Sequence, residues 1–332
     1  MGSACLDRPF ATYTGHLTMH LDHVAEHSSP VSVSQPELIH LNGPARAIAL
    51  DVMRVNSLQT GAYVSRFRGR GMEFDESRPY QPGDDPRSID WRVTARSTTA
   101  YTKLFREERE RPVLVMVDLR ANMHFATRGC FKSVNASRAA ALLSWAAHYR
   151  GDRLGGLIFG DHVHHELKPR LGRRAALHFV HALADHPDWQ TRTRHAGDDG
   201  EAALTRAMSS LRRVVRPGSL VVLLSDFHGL SRIGQSYLSS VARHSEVLAV
   251  VLSDPFERRL PPPGRYRLLA DEDELAIDTH SARARRDYEE AYARRSHALE
   301  LYCQRYGIHH LELSTADDPV AALQTALGRR RR

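Results

Sequence analysis

Four short apolar runs set the fold: VLVMV at residues 113–117, RLGGLIF at 153–159, SLVVLL at 219–224 and EVLAVVL at 246–252. None alternates apolar with polar residues. A continuous apolar run of this length is the pattern of a strand covered on both faces. Between and around the runs, residues 133–149, 173–184, 201–214 and 233–244 carry apolar side chains at helical spacing. This alternation predicts an α/β fold with a doubly wound, mostly parallel sheet and right-handed crossovers. Residues 163–167 are expected to form a hairpin with the second run. Residues 266–269 and 275–278 read as a two-strand addition, followed by a strand at 308–313 and a helix at 317–327. The long charged stretch 282–306 predicts a helix with Tyr288, Ala291, Tyr292, Leu299 and Tyr302 turned inward.

Ligands of doubly wound sheets sit beyond the carboxyl ends of the strands. Asp118 closes the first run, and Asp226 follows the third. With Asn122 they form a set of hard oxygen donors of the type Mg²⁺ prefers. Arg120 puts a fixed cation beside them, which opposes a divalent ion. Two readings stay open: an ion site of Asp118, Asn122 and Asp226, or aspartates that cap helices and pair with Arg120, with no cofactor.

Ahead of the first run lies the densest mixture of charges in the chain, FRGRGMEFDESRPYQPGDDPRSIDWRVTAR at residues 67–96. It has neither helical nor strand periodicity and reads as structured loop. Its chemistry rests on Arg70, Gly71, Glu73, Tyr80, Gly83, Asp84, Asp85, Arg87, Asp90, Trp91 and Arg96. Gly71 permits close backbone approach, and Gly83 between prolines fixes a turn presenting Asp84 and Asp85. Arg87, Arg92 and Arg96 are expected to pair with Asp85, Asp90 or Glu73. The segment is either a brace between the N-terminal region and the sheet, a partner-docking surface, or a catalytic loop. A helix is expected over 44–58 and a strand over 100–108.

Composition narrows the function classes. The chain of 332 residues has three cysteines, Cys5, Cys130 and Cys303, too scattered for a disulfide framework. No run of 18 apolar residues occurs, so no membrane-spanning helix is expected, and the N-terminus shows no secretory pattern. A cytoplasmic protein is expected. The net charge of +7 comes from arginines interspersed with acids, so sequence-directed nucleic-acid binding is not expected. There is no Walker A motif. The histidines at 162, 164 and 165 read as a hairpin face, and those at 20, 23 and 27 as one side of a short helix.

The motif Gly69-x-Gly71-x-Glu73-Phe74, Arg78-x-Tyr80-x-Pro82-Gly83-Asp84-Asp85-x-Arg87-x-Ile89-Asp90-Trp91 and Ala95-Arg96 resembles that of the DUF58 family. The resemblance covers about residues 45–328. It implies a von Willebrand factor A-like α/β domain at 111–328, preceded by a loop-rich α+β motif region at 44–110. Residues 1–43 are then a partly flexible leader, and 329–332 a basic tail. In that fold an ion site is built from an Asp-x-Ser-x-Ser loop, a Thr and a later Asp. Here Arg120 and Asn122 replace the serines, and residues 200–204 (GEAAL) offer no hydroxyl. The resemblance further implies a non-catalytic adaptor for a MoxR-type AAA+ ATPase, helping to assemble or activate client proteins. The alternative is a Mg²⁺-dependent hydrolase acting at Asp118 and Asp226.

Overall fold

The computed structural model describes residues 29–50, 72–81, 84–97, 99–107, 111–189, 199–270 and 273–327. The short helices α1 (Gln35–His40) and α2 (Asn42–Ala45) come first, then an antiparallel pair of strands, β1 (Met72–Pro79) and β2 (Tyr101–Glu107). The helical turn α3 (Trp91–Thr94) lies in the connection between those strands.

The remainder winds around one six-stranded sheet. Its parts in chain order are β3 (Pro112–Asp118), α4 (Lys132–Arg150), β4 (Arg153–Phe159), β5 (His164–Arg170), α5 (Arg173–Ala184), α6 (Asp199–Val214) and β6 (Leu220–Ser225). They continue with α7 (Arg232–Ala242), β7 (Glu246–Ser253), α8 (Pro255–Arg258), a β8 (Arg265–Ala270) and β9 (Asp273–Asp278) hairpin, α9 (Ala282–Tyr306), β10 (His309–Ser314) and α10 (Pro319–Leu327). The sheet order is β10-β7-β6-β3-β4-β5, parallel except for β5, which runs antiparallel to β4. The molecule is therefore mixed α/β with a central, mostly parallel sheet.

The apolar runs divide their side chains by the two-residue period of a strand. Val113, Val115 and Val117 join Leu220, Val222 and Leu224 in a cluster with Leu142 and Leu143 of α4 and Phe179 and Leu183 of α5. Leu114 and Met116 point the other way, toward Leu204 and Met208 of α6 and Leu238 of α7. Burial on both faces explains why these strands show no polar alternation. The edge strand β5 (HHELKPR) is mostly exposed, and its charges and Pro169 oppose pairing with another strand.

Residues 29–50 were expected to divide into a leader and the start of a helix. They form one packed unit instead. Ser34 and Glu37 make a capping box for α1, Leu38 is fully buried, and the Trp145 indole donates to the Leu38 carbonyl at 3.0 Å. Glu37 also accepts from Arg138 at 2.7 Å. The helix expected over 44–58 shortens to α2 and a following turn that buries Ile48 and Leu50; residues beyond 50 lie outside the described ones.

The helix expected at 282–306 has those bounds, but its inward stripe is shallower than the pattern implied. Tyr288, Tyr292, Leu299 and Tyr302 are half-buried, Ala291 is exposed, and Cys303 alone is fully buried. Its first turns are rich in arginine, and its contact with the sheet cluster comes from Leu299 onward.

Gly156 in β4 lets β3 and α5 both approach closely. A Cβ there would lie 2.3 Å from the Val115 carbonyl oxygen and 2.5 Å from the Phe179 ring. Gly156→Ala is expected to lower stability by about 1–3 kcal/mol. The loss would appear in urea titration as a lower midpoint with an unchanged slope.

Candidate functional site

The chain leaves β3 toward β4 on one side, while β6 flanks β3 on the other. This reversal makes the crevice beyond β3 and β6 the topological switch point of the sheet. Asp118, the last residue of β3, and Ser225 and Asp226 at the end of β6 stand there.

The crevice is filled by charge pairs. Arg120 folds back on Asp118 through Nε, at 3.0 Å from Oδ1 and 3.1 Å from Oδ2, and through Nη2, at 2.7 Å from Oδ2. Ser225 Oγ also donates to Asp118 Oδ2, at 2.6 Å. Arg120 Nη1 reaches the carbonyls of Gly200 at 2.8 Å and His228 at 3.2 Å, tying the start of α6 to the loop after β6. Asp226 accepts from Lys132 Nζ at 2.7 Å, from Asn122 Nδ2 at 2.7 and 2.9 Å, and from the His228 amide at 2.9 Å. Lys132 also donates to Glu257 Oε1 at 2.6 Å. Glu257 in turn closes a capping box on α8 with its other oxygen.

Arg120 and Lys132 are 2% and 1% exposed. Burial alone would lower their pKa values, but Asp118 acting on Arg120, and Asp226 and Glu257 acting on Lys132, reverse the shift and raise both. Burial pushes the Asp226 carboxyl up, and Lys132 and then Arg120 overcome this and hold it at about 2. All three groups are therefore charged at neutral pH.

The sequence-based set of Asp118, Asn122 and Asp226 does come together, but not as an ion cradle. The oxygens a divalent ion would need already accept from a guanidinium, an ammonium, an amide and a hydroxyl. Two buried cations within hydrogen-bond distance of those carboxylates would repel Mg²⁺. The donor set does not fit the ion, and the reading in which Asp118 pairs with Arg120 matches the geometry. A cavity of about 460 Å³ opens beside Asp226, bordered by His228, Glu257, Tyr292 and Tyr302.

Lys132, Ser225 and Glu257 were missed as members of this cluster. The one local signal was Lys132 itself: a lysine in the first turn of a helix opposes the macrodipole and calls for a compensating partner. Asp188 lies near the same edge. Its carboxyl is pushed up to about 6 by burial and then by Asp161, and it packs so closely on Gly160 that a Cβ there would fall 1.2 Å from Oδ2. His162, His164 and His165 are exposed, and no metal-holding group of three acidic, histidine or cysteine side chains occurs among the described residues. The histidines at 20, 23 and 27 lie outside the described residues.

The charged motif is knit to itself. Tyr80 Oη donates to the Asp84 carbonyl at 3.1 Å, and Asp84 accepts from Arg78 at 2.6 Å and from the Gln81 amide at 2.9 Å. Asp85 caps the turn at Pro86–Ser88 by accepting from the Arg87 amide at 2.9 Å. Asp90 caps α3, accepting from the amides of Arg92 and Val93 and from Ser77 Oγ.

The expected arginine–aspartate pairing differs here. Asp85 and Asp90 receive main-chain N–H groups, while the side chains of Arg87, Arg92 and Arg96 are exposed and make no ion pair among the described residues. The physical reason is local. An aspartate directly before Pro86 or Trp91 at a helical start is already placed to cap. Trp91 is 70% exposed. Glu73 lies in β1, paired in register with Arg106. Arg70, Gly71 and Gly83 lie outside the described residues.

These features define a mixed α/β protein with a charge-filled switch point and a capped, arginine-rich motif. The family described as "Protein of unknown function DUF58" matches residues 76–298. The chain belongs to the DUF58 family. Among its relatives are uncharacterized proteins of Mycobacterium bovis and Mycobacterium tuberculosis, each 32% identical over 249 residues, covering 73% of this chain and 76% of the relative. A crystal structure titled conserved hypothetical protein BatB, from Bacteroides thetaiotaomicron, superposes with a TM-score of 0.41 at 12% identity. It covers 65% of this chain and 96% of that one.

Lys132→Met is expected to destabilise the protein by about 3–5 kcal/mol, since it strands two partly or fully buried carboxylates. Adding Asp226→Asn should restore part of the loss, read as a coupling in a double-mutant cycle. The pH dependence has a definite sign. Asp226 is held near 2 in the folded state, below its ordinary 3.8. Its pairing therefore adds stability above pH 3.8 that is lost as pH falls toward 2. Acid titration followed by circular dichroism should show Lys132→Met unfolding at higher pH than the wild type.

Proposed function

We propose that this protein is a non-catalytic adaptor that works with a MoxR-type AAA+ ATPase in the assembly or activation of client proteins. The observation that carries the reading is the occupation of the switch point by Arg120 and Lys132. Where a doubly wound sheet ordinarily holds its ligand, the carboxylates are neutralised from within. Asp226, held at about 2, and Arg120 and Lys132, both raised, lie away from the neutral range that general acid–base work requires. On this reading the α/β domain is von Willebrand factor A-like, with two side-chain cations standing where such a domain holds its ion. The ATPase partner follows from the DUF58 resemblance. No described helix is long and apolar enough to cross a membrane, which fits an adaptor acting in the cytoplasm.

A Mg²⁺-dependent hydrolase is the competing reading, and the cavity beside Asp226 favours it. It requires lone pairs on Asp118 and Asp226 that Arg120, Lys132, Asn122 and Ser225 already engage. Calorimetric titration of the purified protein with Mg²⁺ and Mn²⁺ is expected to give no binding. Saturable binding that disappears in Asp118→Asn would overturn the non-catalytic reading.

The adaptor reading has its own test. Sedimentation of the protein with a purified MoxR-type ATPase from the same genome is expected to show a complex. Failure to associate at tens of micromolar, with and without nucleotide, would remove that role.

A further inference from the structure

We propose that Trp91, Arg92, Ala95 and Arg96, with Arg87 from the preceding turn, form a docking face for a folded protein partner that presents carboxylates around an apolar slot. The inference rests on the adaptor reading and specifies the chemistry of the contact. The helical hydrogen bonds of α3 continue past its end, with the Ala95 amide donating to the Trp91 carbonyl and the Arg96 amide to the Val93 carbonyl. Residues 91 and 95, and 92 and 96, therefore lie one above the other on one side.

That side faces outward: Trp91, Arg92, Ala95 and Arg96 are exposed, whereas Val93 and Thr94 are half-buried. Thr94 Oγ1 accepts from the Tyr101 amide at 2.9 Å, and Asp90 caps the opposite end, so the strip is held at a fixed angle to the hairpin. A tryptophan 70% exposed on a pinned turn adds little to folding. Tryptophan and arginine are the residues that dominate binding energy at protein interfaces.

The charges decide the partner. Asp85 and Asp90, the acids nearest in sequence, accept from main-chain amides, leaving the forks of Arg87, Arg92 and Arg96 without an ion pair among the described residues. A guanidinium fork matches a carboxylate with two parallel hydrogen bonds. Single-stranded nucleic acid is the other occupant that arginine and tryptophan would suit. Such surfaces stack successive bases on successive aromatic rings. Here the strip offers one ring, and Tyr149 of α4 is the other exposed large aromatic among the described residues.

The test measures affinity for the purified MoxR-type ATPase, for poly-L-glutamate and for an unstructured oligothymidylate. The proteins compared are wild type, Trp91→Ala, Arg87→Glu and Arg92→Glu/Arg96→Glu. The strip's outward side chains leave the core untouched, so unfolding midpoints should match the wild type. The expected result is ATPase binding that weakens with added salt and falls roughly thirty-fold or more in Trp91→Ala and in the double charge reversal. Poly-L-glutamate should bind the wild type and not the charge reversals.

ATPase binding that is equal in wild type and variants would overturn this face while leaving the adaptor reading intact. Tighter binding of oligothymidylate than of poly-L-glutamate, lost in the same variants, would reassign the face to nucleic acid. If the wild type binds poly-L-glutamate through these residues but never the ATPase, the adaptor reading fails and the docking proposal built on it falls with it.

Discussion

Two carboxylates at the ends of neighbouring parallel strands cannot be buried without counter-charge. At Asp118 and Asp226 the countercharge is internal, and much of the molecule converges on it. Arg120 comes from the loop after β3 and holds the first turn of α6 and the loop after β6 by their carbonyls. Lys132 opens α4 and holds Glu257 of α8. One network thus fixes how the connections after β3, β6 and β7 leave the sheet, and holds the start of α6 against them. Removing a single partner from such a network costs far more than the intact network contributes relative to apolar packing. Its main effect is to set orientation, and the edge it orients is the one where related architectures bind their ligands.

The same network also fixes the charge states at this edge. Catalytic carboxylates and amines need pKa values near the working pH. Here the pairing drives Asp226 down to about 2 and Arg120 and Lys132 up. One described carboxyl does approach neutrality, Asp188 at about 6, and it is packed on Gly160 with its Oδ2 buried. Two carboxylates that border the cavity, Asp226 and Glu257, are already engaged.

Much of the sheet was legible because burial on both faces leaves a continuous apolar signature, and Asp118 and Asp226 were placed by the rule that strand ends line the site. Lys132 was not legible as a partner of Asp226, because the two residues are 94 positions apart. Only the crossovers bring them together; a lysine at a helix start calls for a compensating acid but does not say which one. Glu257 was hidden for a different reason: its local pattern, Asp254-Pro255-x-Glu257, is a complete capping box, which accounts for one oxygen and conceals the use of the other. In the motif, counting charges suggested paired arginines and aspartates. The local rule that aspartate before Pro86 or Trp91 caps a turn accounts for the main-chain bonds of Asp85 and Asp90, which charge counting does not anticipate.

That local rule also bears on what the motif is for. A two-stranded hairpin is marginal in water without support. The β1–β2 pair gains it from Asp84, Asp85 and Asp90, each binding backbone groups in the connecting segment, and from Thr94 and Tyr101 closing its end. Had these aspartates paired with Arg87, Arg92 and Arg96, the connection would have lost its caps and the arginines their freedom. Capping uses the acids inside the fold and leaves the cations outside it. The outcome is a turn whose outward side carries a tryptophan and guanidinium groups that make no ion pair among the described residues. The fold thus treats its charges in two ways: at the strand ends buried carboxylates meet buried cations, and in the motif aspartates meet main-chain amides while Arg87, Arg92 and Arg96 stay at the surface.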